Sequence, residues 1–436
     1  MLKKKITSLV LVLMLLMGTV VMLDSQAHAG WWPFGSDDED SKSEVVNIDY
    51  WNPFGGGDAK FMEQMVKKFN ETHPKINVKS TRLEFSEYYT KLKTATASDN
   101  GPDIAISHIT RLPEMVNEGL AVSVDELATE TDISWSEFNQ NIENDTVINN
   151  KHYAVPLDTH PQVMYYNKEY LAEADLLDEN GKPIIEEGPE GFINFLTRLK
   201  ENSSAKYPMS NWTKLSADGH FRLWLGLYSQ LNGETIISDG EVSLDKEKAI
   251  KAIKYMNEIY NKDLAPLHSE YMESVNVFRN KKAATLITGV WITGTLESTE
   301  DLDLGVVPVP KIFDRQATWA NSHTLILPYS SNADERKQKA ALTFAKWVTD
   351  NGELWAKAGH IPSKNSIKNK QEFKEMPYRT DYVEAANYAS FNKAGVDAPG
   401  VKDKMVTALS GVWKGDYSAE EGVNKAVEQL ERLLSR

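Results

Sequence analysis

Three observations predict an α/β chain of about two domains. The 436 residues exceed what one ordinary core buries, since domains mostly run about 50–250 residues. Near the start, strand and helix patterns alternate β-α-β-α-β. That order makes a parallel sheet with helices on both faces and ligands beyond the carboxyl ends of its strands. A hydrophobic fraction of 41% with 25% charged residues is that of a globular chain able to bury a sizeable core.

Residues 1–29 read as a secretory signal: Lys3, Lys4 and Lys5, an apolar run from Ile6 to Leu23, then Ala27-His28-Ala29 as a small-x-small cleavage site before Gly30. An uncleaved anchor is the competing reading, because the apolar run nearly reaches the ~20 residues of a spanning helix. GWWPFGSDDEDSKSE, 30–44, has an acidic run and no period, and reads as a disordered linker in which Trp31 and Trp32 have no assigned role.

The body opens with VVNIDYW, Val45 to Trp51, which alternates like a strand, then the loop NPFGGGD and an amphipathic helix from Ala59 to Thr72 that Pro74 ends. INVKSTRL is a second strand, FSEYYTKLKTATAS a second helix, and GPDIAIS, Gly101 to Ser107, a turn into a short buried strand. Helical patterns follow at Glu190 to Asn202, Phe221 to Leu231 and Asp245 to Tyr260. Strand candidates are Ala283 to Gly289, Leu302 to Pro310 and HTLILPY. The helix Ala333 to Thr349 follows, and the C-terminal helix Ser418 to Leu434 has Val423, Ala426, Val427, Leu430 and Leu434 at helical spacing.

A net charge of −15 argues against nucleic acid as partner, because phosphate binding needs clustered Lys and Arg. The absence of cysteine excludes disulfides, thiolate nucleophiles, Cys-ligated zinc and a lipid-bearing Cys. The nine histidines are dispersed without paired helical spacing. A metal site would have to be assembled by folding, and none is assigned.

The order of motifs resembles the extracellular solute-binding proteins of ABC transporters, in the carbohydrate-binding, maltose-binding-protein-like family. The residues that carry the resemblance are IDYW, GPDIAI, YAVPLDTHPQVMYYNKEYLAEADL, FRNKKAATLITGVW, LGVVPVP and AKAGHIPSKNS, in that order. It implies a two-lobed periplasmic-binding-protein fold of type II, with hinge strands and a ligand cleft between the lobes. Lobe 1 would hold 45–156 with about 315–366, and lobe 2 157–313 with about 367–436. It further implies an exported monomer that binds a sugar or oligosaccharide, closes on it and delivers it to permease subunits coupled to an ATPase. No enzyme activity, cofactor or metal is implied, and without Cys the chain would be periplasmic or cell-surface but not a lipoprotein.

A sugar cleft combines flat aromatic platforms with planar hydrogen-bond groups. Trp291, after the buried strand ending at Gly289, matches a family position that stacks on sugar. Trp51 at the end of the first strand, Trp319 with Asn321 in ATWANSH, and Trp212 in its loop are further candidates. Trp51 and Trp319 are equally readable as core. Trp347, Trp355 and Trp413 sit in helical patterns and read as core, while Trp224 stays open. Asn52 and Asp58 lie in the loop after the first strand. His108 lies in a loop where the family places sugar contacts.

In LDTHPQVMYYNK, Leu157 to Lys168, Asp158 and His160 are either hydrogen-bond groups for sugar hydroxyls or a hinge brace. A hydrolytic Thr-His-Asp cluster is excluded, because adjacent side chains on an extended segment face opposite ways. Two other classes compete. A glycoside hydrolase needs carboxylates about 5 to 10 Å apart across the bond, and no catalytic motif appears. An anionic solute would need a cationic cleft, and the sequence alone does not place Arg111 or Arg222 there.

Overall fold

The long strand Asp158–Asn167, buried at every position, is the axis of the molecule. The computed structural model describes residues 45–55, 57–214, 218–233, 235–391 and 397–435. The signal and linker readings, with Gly56, lie outside the described residues. No described helix is long and apolar enough to cross a membrane.

Local periodicity dictates the elements. In the helix Ala59–Thr72, Met62, Met65, Val66 and Phe69 recur at helical intervals and form its buried face. Phe69 is fully buried and meets Phe344 edge-on, with ring centroids 5.1 Å apart. Truncating such a ring to Ala costs roughly 3–5 kcal/mol. At the other end of the chain, Ser418 opens the helix Ala419–Leu434 with a reciprocal capping box to Glu421. Val423, Ala426, Val427 and Leu430 are its buried face.

The first sheet runs in the order Ile76–Arg82, Val46–Asn52, Ile104–His108, His323–Ile326, Val155–Pro156. Its first three strands are parallel, as the alternating pattern predicts. The return strand His323–Ile326 is antiparallel to both of its neighbours. In the second sheet the long strand pairs antiparallel with Ala283–Gly289, Leu304–Pro308, Thr318–Asn321 and Ile361–Pro362. Tyr207–Asn211 adds in parallel to Ala283–Gly289, and Ala389–Ser390 to Thr318–Asn321. Each sheet carries its own apolar core. One is built around Tyr50, Phe69 and Phe344, and the other around Phe192, Met209 and Trp224.

The antiparallel pairings have one cause. Two continuous segments, 155–167 and 318–326, run side by side in opposite directions through both sheets, crossing at Leu157 and Ser322. Because Thr318–Asn321 pairs within the second sheet, the chain returns to the first at Ser322, later than the residue near 315 expected from sequence. A third crossing follows the helix Gly352–Ala356. Its Trp355 is in the first core, while Ile361 pairs with Thr159 of the long strand. Register then fixes the site, since His323 lies opposite His108, Asn321 opposite His160, and Pro362 opposite Asp158.

Candidate ligand-binding cleft

A cavity of about 600 Å³ opens where the three crossings meet. Asp58, His108, His160, Trp212, Trp291, Trp319 and Asn321 all line it. Three other residues singled out from sequence do not. Asp158 is fully buried beneath the floor. Asn52 is buried and shapes the loop, its amide donating to Ser80 Oγ at 3.0 Å and its Oδ1 accepting from the Phe54 backbone N–H at 3.3 Å. Trp51 packs against the cluster that contains Tyr88, whose hydroxyl donates to its carbonyl at 3.1 Å. A strand-end position put Trp51 near the cleft, but the period of two turned its ring to the helix-covered face.

One wall is aromatic. Trp291 and Trp319 meet edge to face at 6.2 Å and 85°. The Arg222 guanidinium, carried by the helix Gly219–Gln230, lies 4.3 Å over Trp319, 5.4 Å over Trp212 and 5.5 Å over Trp291. Asp218 holds that guanidinium through Nη2 at 2.8 Å and Nε at 3.2 Å. Trp291 Nε1 donates to the Tyr271 hydroxyl at 2.6 Å, which fixes the indole plane. Two glycines make room for these rings. A Cβ on Gly289 would stand 1.8 Å from the Trp291 ring, and one on Gly219 2.3 Å from the Trp212 carbonyl oxygen.

The floor and the opposite wall are polar. Asp158 Oδ1 accepts from His160 Nδ1 at 2.9 Å and from the His323 backbone N–H at 3.1 Å. Its Oδ2 accepts from His323 Nδ1 and from Trp355 Nε1, each at 2.7 Å. Burial pushes the Asp158 carboxyl up, but His323, His360 and His160 outweigh it and hold the group well below the usual carboxylate range. With Asp158 ionised, the facing Nδ1 atoms of His160 and His323 carry the protons.

Burial, reinforced by His323, pushes His160 down to about 3 against the pull of Asp158, so its ring is neutral. Burial and the neighbouring His323 and His160 likewise hold His108 well below its ordinary value. Its Nδ1 meets the Tyr89 hydroxyl at 2.6 Å. Asp58, at the start of the helix Ala59–Thr72, is pushed up by burial but lowered on balance by His360 and His323. Asn321 Nδ2 donates to Thr110 Oγ1 at 3.2 Å. The arrangement offers apolar faces to a ligand's C–H surface and mixed donors and acceptors to its hydroxyls.

Sequence reasoning did not assign His323, His360, Tyr271 or Phe54 to the cleft. Two of them lie in segments singled out for other reasons, His323 in the strand candidate HTLILPY and His360 in the family motif AKAGHIPSKNS. Arg111 and Arg222 reach the cavity wall. Trp224 and Trp355 are fully buried, and Trp413 nearly so.

The sequence profile of the bacterial extracellular solute-binding protein family matches residues 55–354, more than half of the chain. The chain belongs to the bacterial extracellular solute-binding protein family. Among its relatives, the diacetylchitobiose-binding protein DasA of Streptomyces coelicolor is 23% identical over 374 residues, covering 81% of this chain and 82% of DasA. Two solved structures share the fold. The GacH receptor of Streptomyces glaucescens, solved unliganded and with acarbose, superposes with a TM-score of 0.77 at 17% identity, covering 90% of this chain and 99% of that one. UgpB from Mycobacterium tuberculosis, solved with glycerophosphocholine, has a TM-score of 0.77 at 18% identity, covering 90% and 99%. The family's two-lobed, type II architecture is the one described above. Its members are binding proteins rather than enzymes.

Proposed function

We propose that this solute-binding protein captures a neutral sugar or oligosaccharide in the cleft and delivers it to the permease of an ABC importer. The observation that carries the reading is the wall of Trp212, Trp291 and Trp319 around Arg222, facing the His108, His160 and Asn321 floor. Flat rings cover the C–H face of a pyranose, and the floor takes its hydroxyls. The cleft residues come from both sheets, so closure about the crossings at 157, 322 and 360 completes the contacts and creates the surface that the permease reads. The protein works as an exported monomer. It forms no covalent bond with its cargo, and it has no cysteine to carry a lipid.

A second reading, an anionic solute, is favoured by Arg111, Arg222 and Lys402 at the cavity wall. Arg111 is already paired with Glu114 at 2.9 Å and Arg222 with Asp218 at 2.8 Å, which supports the neutral ligand. A thermal-shift panel separates the two, because a ligand bound only by the folded state raises stability by about 2.7 kcal/mol at a hundred times its Kd. Neutral oligosaccharides should raise the melting temperature while uronates and phosphodiesters leave it unmoved. The reverse pattern would overturn the neutral assignment.

A further inference from the structure

At the cleft floor, where His160, His323 and His360 line the cavity and Asp158 lies beneath them, a second arrangement is built into the same residues. Asp158, His160, His323 and His360 each offer one ligand atom, and these atoms all lie within 4.8 Å of one another. All four residues are buried, at 0%, 4%, 6% and 1% exposure. They come from the three segments that cross between the sheets. A four-coordinate zinc-class site, with arms of about 2.0–2.2 Å, places its ligand atoms about 3.4 Å apart. Here Asp158 Oδ2 stands 2.7 Å from His323 Nδ1 and 3.5 Å from His360 Nδ1, and Asp158 Oδ1 stands 2.9 Å from His160 Nδ1. An ion at the centre would draw the more widely spaced of these atoms, which lie within 4.8 Å of one another, in towards about 3.4 Å.

Two observations point to these residues as cation ligands. Neither ring nitrogen of His360 has a hydrogen-bond partner among the described residues, although the ring is 1% exposed. Its nearest carboxylate oxygens are at 3.5 Å on the Nδ1 side and 3.6 Å on the Nε2 side. A buried polar atom without a partner calls for an explanation such as an ion or water. Secondly, the ion pairs of the fully buried Asp158 are with histidines alone, with no Lys or Arg among the described residues. A buried carboxylate is paired with a charge or coordinates a metal.

We propose that Asp158, His160, His323 and His360 form a site for one divalent transition-metal ion of the zinc class, which staples the three interlobe crossings. Imidazole nitrogens with a single carboxylate suit zinc, cobalt or nickel rather than magnesium or calcium, which prefer all-oxygen shells. The metal takes the Nδ1 positions, and each neutral imidazole then carries its single proton on Nε2. The supporting groups are in place. Trp355 stacks on His360 at 4.6 Å and 2° and donates to Asp158 Oδ2. Asp58 stands 3.6 Å from His360 Nε2, ready to accept its proton when Nδ1 binds metal. His108 is near, and its Nδ1 is engaged by Tyr89 at 2.6 Å.

The site shares His160 with the cleft floor, and its test is made without cargo. The full chain, stripped with a chelator and checked by circular dichroism, is titrated with Co²⁺, then with Zn²⁺ in competition. The expected result is one equivalent of cobalt with the intense visible absorption of four-coordinate geometry, displaced by zinc. His360→Gln and His160→Gln should each weaken binding at least 100-fold, and Asp58→Asn about 10- to 100-fold. His152→Gln is the control. It removes the other histidine held by carboxylates, 2.7 Å from both Asp125 and Glu143, and should change nothing. If His360→Gln does not fold, His160→Gln carries the comparison. If neither folds, the wild-type cobalt spectrum decides. No stoichiometric binding by the folded wild type, a six-coordinate spectrum, unchanged affinity in a folded ligand variant, or loss of binding in His152→Gln would each overturn the proposal. The metal titration is made without sugar, so its failure and the failure of the sugar titration are distinguishable.

Discussion

Gly289→Ala tests whether the position of one indole, rather than its mere presence, makes the binding wall. The added Cβ would stand 1.8, 2.0 and 2.2 Å from three atoms of the Trp291 ring, whereas ordinary carbon contacts begin near 3.5 Å. The ring must therefore move by about 1.7 Å. That movement stretches the 2.6 Å bond from Trp291 Nε1 to Tyr271 to about 4 Å, beyond hydrogen-bond range. Stability should fall by about 2–4 kcal/mol, from the overpacking and the lost hydrogen bond. A displaced anchor should cost about 1.5–3 kcal/mol of binding, roughly 10- to 100-fold in Kd. The assay is calorimetric titration of the four members of a double-mutant cycle with Trp291→Ala. In the Trp291→Ala background the clash partner is gone, and Gly289→Ala should leave Kd unchanged. Wild-type affinity in Gly289→Ala, or an equal loss in both backgrounds, would refute the reasoning.

Other perturbations follow from the same geometry. Asp158→Ala leaves the Trp355 and His323 donors buried without an acceptor and should cost about 3–5 kcal/mol in urea denaturation; a loss under about 1 kcal/mol would contradict its role as hub. Arg222→Lys keeps the charge but loses the plane that lies over Trp319, and should weaken sugar binding about tenfold. His220, buried and stacked on Trp413 at 4.3 Å, is pushed down to about 3 by burial, with His268 adding to the shift. Between about 6.5 and 3 the unfolded chain then binds the extra proton, so this contribution to stability is complete above pH 6.5 and lost as pH falls. The loss reaches about 5 kcal/mol by pH 3, and His220→Phe should flatten the acid arm of the stability profile.

Much of the fold is local and was legible. The helix Ala59–Thr72 and the strand Ala283–Gly289 follow from period and boundary residues alone, because apolar spacing and a terminating Pro or Gly act within a few residues. The antiparallel return through Ser322 was not legible, because strand direction depends on which distant segment it meets. The cleft was half legible for the same reason. Trp291 and His108 follow strand ends and could be placed, and the period of two correctly put Asp158 and His160 on one side. His323 and His360 carry no spacing signal, since register across three crossings brings them to Asp158. Trp355 likewise reads as core from its helical setting, and it is core, yet its indole N–H holds the Asp158 carboxylate.

The central claim is that the tryptophan wall and histidine floor hold a neutral sugar. Calorimetric titration of the full chain with neutral mono- and oligosaccharides, with Trp291→Ala alongside, tests it most directly. The account predicts saturable one-to-one binding of at least one of them by the wild type, weakened 30-fold or more in the variant, as for a loss of about 2 kcal/mol or greater. No heat from any sugar, or equal affinity in wild type and variant, would contradict it.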